Sequence, residues 1–225
     1  MAMSEKTQLV EKPNDMTAEV PAETGIPGTP DKLFFLQSSS GDFSDELRVL
    51  DLSSSITFST FEDATHDEFY AAVEKAAKNR QNDRAAWVYE LTRKSFSSNM
   101  QIHDSSNHGV VAAELDLSIL KHYGTWKLSF PQGSRHSSHD LEIKPVSILQ
   151  KQETFVKDGT MYIWDMTMGG KRGELYKTIN GKKALVAAFA AKSWFKNNCV
   201  LVMDTKEVGD VVVVGSCVAA LNRDI

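Results

Sequence analysis

The end of the chain carries an unbroken apolar segment. Eleven residues, Val211–Leu221, contain no charge and a single hydroxyl, that of Ser216. Asp210 precedes this segment, and Asn222 and Arg223 follow it. An aspartate suits a helix start, whereas asparagine and arginine suit a helix end. A helix that is apolar on every side must be buried in protein or in lipid.

The length of the segment decides between these surroundings. Eleven residues span about 16 Å as a helix, roughly half of the hydrocarbon core of a bilayer, so a transmembrane helix is excluded. The four consecutive valines Val211–Val214 also favour a buried strand, and periodicity does not separate the two alternatives. In either case, the chain ends inside its own hydrophobic core.

Composition and charge narrow the class of protein. The net charge of −5 over 225 residues excludes a generally nucleic-acid-binding surface. No apolar run reaches membrane-spanning length, and the N-terminus lacks the charged-then-apolar plan of a secretion signal. Cys199 and Cys217 both lie in apolar runs, so we expect buried free thiols in a reducing compartment. We therefore expect a cytoplasmic protein with no transmembrane segment and no nucleic-acid partner.

The first thirty residues differ from the rest of the chain. They contain many acids, no aromatic residue, and four of the six prolines, namely Pro13, Pro21, Pro27 and Pro30. Such a segment cannot bury enough apolar area to offset its loss of conformational entropy on ordering. We predict a disordered tail over residues 1–30 and a single folded domain over residues 31–225.

Most of the folded part consists of short apolar runs between turn residues, which is the pattern of β-strands. Ser55–Phe61 and Thr125–Phe130 alternate between apolar and polar residues. The pairs Asp158-Gly159 and Asn180-Gly181 predict tight hairpin turns. The other predicted strands are Leu33–Leu36, Ala86–Leu91, Met100–His103, Val110–Leu115, Leu141–Lys144, Val146–Leu149, Phe155–Val156, Met161–Trp164, Glu174–Ile179, Ala184–Ala190 and Cys199–Met203.

One segment has a helical pattern instead. Thr65–Glu68 has the sequence of a capping box, and an apolar stripe of Phe69, Ala72, Val73 and Ala76 follows it. We predict a surface helix near residues 67–80. A fully apolar helix must be covered on all sides, and about ten or more strands can cover it by forming a closed barrel around it. The predicted fold is therefore mainly β: a closed barrel of about 12 strands around a hydrophobic C-terminal helix.

Several short segments of the sequence resemble a known protein family. They are Phe155–Trp164, Gly173–Tyr176, Ala187–Phe189 and Leu201–Met203 before the apolar run. On the basis of these segments, the chain resembles the tubby C-terminal-like superfamily. The resemblance is strongest over residues 150–225 and extends more loosely from about residue 33. This superfamily includes tubby proteins, phospholipid scramblases and plant LURP-one-related proteins, and the chain is most similar to its fungal members. The resemblance implies a barrel around a hydrophobic helix. Tubby proteins bind phosphoinositide head groups through lysine and arginine.

A basic stretch lies between residues 169 and 198. It holds seven lysines and arginines against one acid, Glu174, and Trp194-Phe195 lies between two of the lysines. Cations beside glycine-rich loops suit phosphate groups, and exposed aromatics with flanking cations suit an anionic bilayer surface. Alternatively, the lysines only keep the surface soluble and the aromatics pack on the barrel. The candidate lipid- or phosphate-binding residues are Lys171, Arg172, Lys182, Lys183, Lys192, Trp194 and Lys196.

Other chemistries have weaker support in the sequence. The histidine clusters His136–Asp140 and His103–His108 each supply too few ligands for a metal, and their setting is typical of exposed turns. Scramblase-like relatives are associated with calcium, but the acids of residues 42–51 and 62–68 do not follow the EF-hand order. The chain has no nucleophile elbow, phosphate-binding loop or zinc-protease motif. We therefore expect no catalytic residues, no metal and no cofactor.

Three functions remain in order of preference. The first is a non-enzymatic tubby-like domain that binds anionic phospholipid or a membrane surface through a basic face at residues 169–198. The alternative is a protein-interaction scaffold that presents the barrel surface, the helix 68–80 and the disordered tail to a protein partner. An enzyme with a site in the barrel mouth ranks last, because no nucleophile, base or metal set is visible.

Overall fold

The computed structural model describes residues 28–38, 46–93, 99–117, 124–146, 151–167, 171–193 and 196–222, without the side chains of residues 192–197. The strands are β1 (Lys32–Ser38), β2 (Glu46–Asp51), β3 (Trp87–Arg93), β4 (Asn99–Asp104), β5 (Val110–Asp116), β6 (Trp126–Ser129), β7 (Leu141–Pro145), β8 (Gln152–Lys157), β9 (Thr160–Met166), β10 (Arg172–Ile179), β11 (Lys182–Ser193) and β12 (Lys196–Met203). The α-helices are α1 (Asp67–Arg80), α2 (Thr205–Val208) and α3 (Asp210–Asn222). Short 3-10 turns span Phe61–Thr65, Arg84–Ala86 and Ser105–Asn107.

The twelve strands form one closed antiparallel barrel. Each strand pairs with its neighbours in chain order, and β1 closes the ring by pairing with β12, where Leu36 lies opposite Cys199. Closure leaves no unpaired sheet edge in the barrel. The prediction of a closed barrel of about 12 strands is confirmed.

Both predicted hairpin turns are present. Asp158 and Gly159 have φ angles of 50° and 75°, and they join β8 to β9. Asn180 and Gly181 have φ angles of 51° and 77°, and they join β10 to β11. Asparagine, aspartate and glycine tolerate this left-handed backbone, whose twist matches that of the flanking strands. The two turns therefore fix the register of four consecutive strands.

The C-terminal apolar segment is a helix inside the barrel, which settles the alternative between helix and strand. Every residue of Val211–Leu221 is buried in α3. These residues share one hydrophobic core with inward-facing side chains of the barrel wall. The indole Nε1 of Trp164 donates to Ser216 Oγ at 3.0 Å, and Ser216 Oγ in turn donates to the carbonyl of Val213. The barrel wall therefore surrounds this apolar helix with apolar side chains.

A second, smaller core lies on the outside of the barrel. Tyr70, Val73 and Ala77 of α1 pack over outward-facing side chains of β1, β2, β11 and β12. Tyr70 also donates its hydroxyl hydrogen to the carbonyl of Asn198 at 2.9 Å. The predicted surface helix near residues 67–80 is confirmed, but its buried face is not the predicted stripe: of Phe69, Ala72, Val73 and Ala76 only Val73 is buried, and Ala72 is exposed.

The segment before α1 contradicts two local predictions. Ser55–Phe61 is not a strand: Ile56 and Phe58 pack against the outer core, and a 3-10 turn begins at Phe61. A closed barrel has no edge at which a further strand could pair, so these apolar residues cover the wall instead. The predicted capping box at Thr65–Glu68 is absent, because His66 is the N-cap of α1 and makes no side-chain cap hydrogen bond. The Asp63 carboxylate instead accepts the backbone N–H of Thr60 at 2.9 Å, at the start of the 3-10 turn. Strand β2 was not among the predicted strands.

The antiparallel order sorts the loops to two ends of the barrel. At the helix-entry end, α3 begins at Asp210, beside the 158–159 and 180–181 turns. At the helix-exit end, α3 ends at Asn222 and β10 begins at Arg172. In the described part of the chain, the helices are all too short or too polar to cross a membrane.

The N-terminal tail and one predicted strand lie mainly outside the described residues. Residues 1–27 and residues 147–150 are not described. The backbone N–H of Gly28 donates to the carbonyl of Leu185 at 3.0 Å, and that of Thr29 donates to Asp204. Asp31 accepts from both the backbone and the hydroxyl of Thr205 at 2.8 Å. Gly28 and Thr29, which we predicted to lie in the disordered tail, are therefore hydrogen-bonded to the barrel.

Candidate functional site

The structure divides the predicted basic residues between the two ends of the barrel. Lys171 and Arg172 are exposed at the start of β10, at the helix-exit end. Lys182 and Lys183 begin β11, at the helix-entry end. Seven residue steps along β10 separate these two positions, or roughly 23 Å at about 3.3 Å per residue. The seven candidate residues therefore do not share one surface.

Backbone hydrogen bonds bring the helix-exit group together. Ala191 N–H donates to the carbonyl of Lys171 at 2.7 Å, which places Lys192 beside this end of β10. Lys196 lies opposite Ser193 at the start of β12. Trp194, the remaining candidate, lies outside the described residues, and only the backbone of Lys192 and Lys196 is described. Four of the seven candidates, Lys171, Arg172, Lys192 and Lys196, thus share the ends of three adjacent strands.

A further basic residue, Lys151, extends this group. The backbone N–H of Met166 donates to the carbonyl of Lys151, and that of Thr167 donates to the carbonyl of Arg172, each at 3.0 Å. Lys151 therefore lies one strand beyond Thr167 along the same end of the barrel. We call the arc from β8 to β12 the basic rim; its five members are Lys151, Lys171, Arg172, Lys192 and Lys196.

Sequence reasoning missed Lys151, although a signal was available. The Asp158-Gly159 turn sets Lys157 opposite Thr160 and Gln152 opposite Asp165. Continuing this register by one residue places Lys151 beside Met166 and hence near the start of β10. Counting back from the turn would have found it, whereas a search for a basic run along the chain could not.

The charge around the basic rim is one-sided. Among the described residues of the arc, the outermost strand positions carry no carboxylate. Asp165 and Glu174 lie opposite each other further along the outer wall, and Glu174 accepts the Tyr176 hydroxyl. Glu153 has a side chain that is buried, with 1% of its residue surface exposed. The outermost described positions of the rim therefore carry basic residues and no acid.

The helix-entry end has mixed charge. Lys177 pairs with Glu207, and Lys157 pairs with Asp158. Arg135 Nη2 donates to the buried carboxylate of Asp104 at 3.0 Å. Three cations of this end are thus paired with acids, so positive and negative charges alternate here, unlike at the basic rim.

A polar network closes the barrel where α3 enters it. The Tyr89 hydroxyl donates to Asp210 Oδ2 at 2.7 Å, and His136 Nδ1 lies 3.9 Å from Asp210 Oδ1. Burial, together with the Asp210 charge, raises the pKa of Tyr89, and burial lowers the pKa of His136. Tyr89 therefore keeps its proton as a hydrogen-bond donor, and the network holds the helix start. An open cavity of about 540 Å³ lies beside it, lined by residues such as Lys157, Lys206 and Glu207.

A second cavity lies on the outer wall beside the C-terminal end of α1. It measures about 500 Å³ and is lined by Arg48, Trp87, Glu90 and neighbouring polar side chains. The Arg48 guanidinium carbon lies 4.4 Å from the centre of the Trp87 ring, and the guanidinium pairs with Glu46 at 3.0 Å. Arg48, one of the two arginines that line this cavity, is therefore already stacked and ion-paired.

The histidines are distributed rather than convergent. The His103 ring Nδ1 lies 3.0 Å from the carbonyl of Gly109, and its Nε2 lies 3.3 Å from Thr92 Oγ1. His139 lies 3.9 Å from Asp158, whereas His136 faces Asp210. Across the described ranges, no three histidine, cysteine, aspartate or glutamate side chains converge in the way that a metal site requires.

The two cysteines are buried free thiols, as predicted, and each has 0% of its surface exposed. Cys199 lies on β12 and Cys217 on α3, and burial raises the pKa of the Cys217 thiol well above its ordinary value. A neutral, inaccessible thiol is a poor nucleophile.

We therefore expect neither cysteine to react with a thiol reagent in the native protein, and both to react after denaturation. Mass spectrometry of labelled samples would count the modified thiols. Rapid native labelling of either cysteine would contradict the buried placement of that residue.

Comparison with known proteins adds no identification. No protein-family model, curated protein or solved structure matches the chain. The resemblance to the tubby-like superfamily therefore stays an expectation that the sequence phrases carry. Function has to be inferred from the residues of the barrel itself.

Proposed function

We propose that this protein is a non-enzymatic, tubby-like binding domain that docks on anionic phospholipid at a cytoplasmic membrane face through the basic rim. One observation carries the proposal: the register of β8 to β12 places five basic residues along one arc of the helix-exit end. At the opposite end Lys157, Lys177 and Arg135 are paired with acids, so an anionic surface has a preferred side on which to bind.

Electrostatics sets the expected strength. A lysine or arginine near an anionic leaflet contributes about 1 kcal/mol, and the contribution falls off within about 8–10 Å at physiological salt. The backbones of five basic residues lie along one arc of the helix-exit end, whereas Lys182 and Lys183 lie at the other end of β10 and β11. Trp194 lies in the sequence between Lys192 and Lys196, and tryptophan favours the membrane interface.

Vesicle co-sedimentation tests this proposal with a matched pair of variants. Lys171→Glu/Arg172→Glu reverses two charges of the basic rim, and Lys182→Glu/Lys183→Glu reverses two charges at the other end of the same hairpin. We expect the wild type to sediment with vesicles containing phosphoinositide or phosphatidylserine and to ignore neutral vesicles. The rim variant should bind at least about tenfold more weakly, since two attractions become repulsions. The second variant should bind within about twofold of the wild type.

Three results would count against the proposal. They are equal recovery with neutral and anionic vesicles, equal loss of binding in the two variants, and loss in the Lys182/Lys183 variant alone. The last result would transfer the lipid contact to the helix-entry end. Circular dichroism melts of both variants establish that a loss of binding is not a loss of folding.

A protein-interaction scaffold is the second candidate, and the outer-wall cavity favours it. This cavity lies on the outer face of the barrel, beside Gln81 and Asn82 and directly after α1. In that case, a stoichiometric protein partner should be lost when the α1 face is changed or residues 1–27 are removed. The same partner should be retained by the Lys171/Arg172 variant, which separates this function from lipid docking.

A further inference from the structure

Both cysteines of the chain point into the interior of the barrel. Cys199 and Leu201 of β12 belong to the inner core, whereas Val200 between them belongs to the outer core, so the Cys199 side chain faces inward. Cys217 lies on α3, inside the wall, and is fully buried. The sequence contains only these two cysteines, so their relative position decides whether one can react with the other.

The rotation of α3 turns Cys217 toward β12. Successive residues of a helix point about 100° apart, and twelve strands that share 360° lie about 30° apart, so one helix residue corresponds to three or four strands. A Cβ atom on Gly215 would meet side chains of β4 and β6, and Ser216 accepts the indole N–H of Trp164 on β9. The next residue, Cys217, therefore faces β12, three strands beyond β9 along the ring.

The depth along the barrel matches as well. Trp164 packs on Phe189 of β11, with the ring centres 5.3 Å apart. Phe189 lies opposite Leu201 of β12, and Cys199 is the inward-facing residue beside Leu201. Cys217 directly follows the residue that Trp164 binds, only about 1.5 Å further along the helix axis, so it lies near the depth of Cys199.

The two thiols are in contact as a result. The Cys217 thiol is hydrogen-bonded to the Cys199 thiol, and burial together with this contact raises the pKa of Cys217. The Cys199 thiol also donates to the carbonyl of Val200, with 3.6 Å between sulfur and oxygen. Neither cysteine has exposed surface, so each is the nearest reaction partner of the other.

We propose that Cys199 and Cys217 form a disulfide that ties α3 to the barrel wall when the chain folds in the presence of a disulfide oxidant such as oxidised glutathione. The thiolate of one cysteine attacks a glutathione sulfur, which gives a mixed disulfide and releases one glutathione thiolate. The thiolate of the other cysteine attacks the protein sulfur of this mixed disulfide and releases the second. Two electrons pass from the protein to glutathione, and the two thiol protons pass to the glutathione thiolates through solvent.

Closure of the barrel sets the redox state of the pair. Glutathione is too large to enter a close-packed core, and a buried neutral thiol is a poor nucleophile. Exchange therefore takes place before the wall encloses α3, and the folded barrel keeps the state in which it closed. A chain that folds in a reducing compartment keeps the dithiol.

The disulfide should also stabilise the fold. Cys199 and Cys217 are 18 positions apart, so the bond closes a loop that includes α2 and the first half of α3. A loop of this length restricts the unfolded chain enough to raise the melting temperature of a domain of this size by about 6–12 °C.

Refolding of the full chain tests the proposal. Reduced protein unfolded in urea is diluted either into dithiothreitol or into a mixture of reduced and oxidised glutathione. After oxidative refolding we expect a monomer without thiols that label in denaturant, a peptide map that joins Cys199 to Cys217, and the higher melting temperature. Two free thiols in a folded product, or a disulfide between chains, would overturn the proposal.

Exchange of two neighbouring residues is the matched control. Cys217→Val/Val218→Cys keeps the composition and turns the thiol by about 100°, away from β12 and toward β3. We expect no internal disulfide in this variant, and closure as complete as in the wild type would refute the placement of the pair. Cys217→Ala is a milder change that should melt at one temperature after either refolding. A redox-dependent melting temperature of Cys217→Ala would equally contradict the proposal.

Oxidised glutathione added to the folded, reduced protein tests when the bond forms. Both thiols should persist for hours without denaturant and should be lost once urea opens the barrel. Rapid oxidation of the folded protein would overturn the conclusion that barrel closure sets the redox state.

Discussion

A chain that ends at Glu207 is expected not to fold, whereas one that ends at Asn222 is expected to melt like the full chain. The shorter chain lacks α3, whose residues Val211–Leu221 are all buried inside the barrel. Six of them are valine or leucine, and full burial of such a side chain contributes about 1.5–3 kcal/mol. Their loss is comparable to the whole stability of a typical domain, about 5–15 kcal/mol.

Circular dichroism and urea unfolding measure this difference. The shorter chain should show no cooperative unfolding transition. It should also aggregate, because the inward-facing apolar residues of the barrel wall are no longer covered. The chain that ends at Asn222 lacks only residues 223–225 and serves as the matched control. A cooperative transition in the chain that ends at Glu207 would mean that the barrel does not need its central helix.

Gly215→Leu is expected to lower the free energy of unfolding by about 3 kcal/mol, the upper part of the range for overpacked cores. A Cβ atom placed on Gly215 would lie 2.9 Å from both terminal methyl carbons of Leu128 and 3.4 Å from Ile102 Cδ1. A leucine would extend further into the same wall. Glycine inside a helix costs about 1 kcal/mol relative to alanine, so its presence here reflects this close approach.

A double-mutant cycle identifies the cause of the loss. Leu128→Ala removes the methyl groups that the new side chain meets, so it should recover part of the stability lost in Gly215→Leu. The single change Leu128→Ala should cost about 2–5 kcal/mol, because it leaves a cavity. Additive losses in urea unfolding would show that Gly215 and Leu128 are not in contact. An unchanged melting temperature of Gly215→Leu would contradict the placement of α3.

The fold was predictable because its signals are local. An apolar run with polar ends, two Asx-Gly turns and the stripe of α1 each depend on a few adjacent residues. Ser55–Phe61 was wrongly predicted to be a strand. Alternation of apolar and polar residues indicates that one face is buried, but it does not indicate which element buries that face. Here the partner is the outer wall of the barrel under α1. Strand β2 escaped prediction because its polar residues Glu46, Arg48 and Asp51 interrupt a short apolar pattern.

The candidate site was less predictable because it depends on strand register. A search for basic residues along the sequence groups Lys171 with Lys182, although the length of β10 separates them in the structure. The same count omits Lys151, which the β8–β9 register brings next to the end of β9. The Tyr89–Asp210 contact was equally hidden, because it links residues 121 positions apart in the chain.

The most direct measurement of the central claim is fluorescence from a label at each end of the barrel. The buried native thiols should not react, so Thr167→Cys marks the basic rim and Val110→Cys marks the helix-entry end, each with an environment-sensitive dye. We predict that anionic vesicles shift the emission of the rim label to the blue and leave the other label unchanged. A shift of the Val110→Cys label alone, or no shift of either label with vesicles bound, would contradict docking through the basic rim.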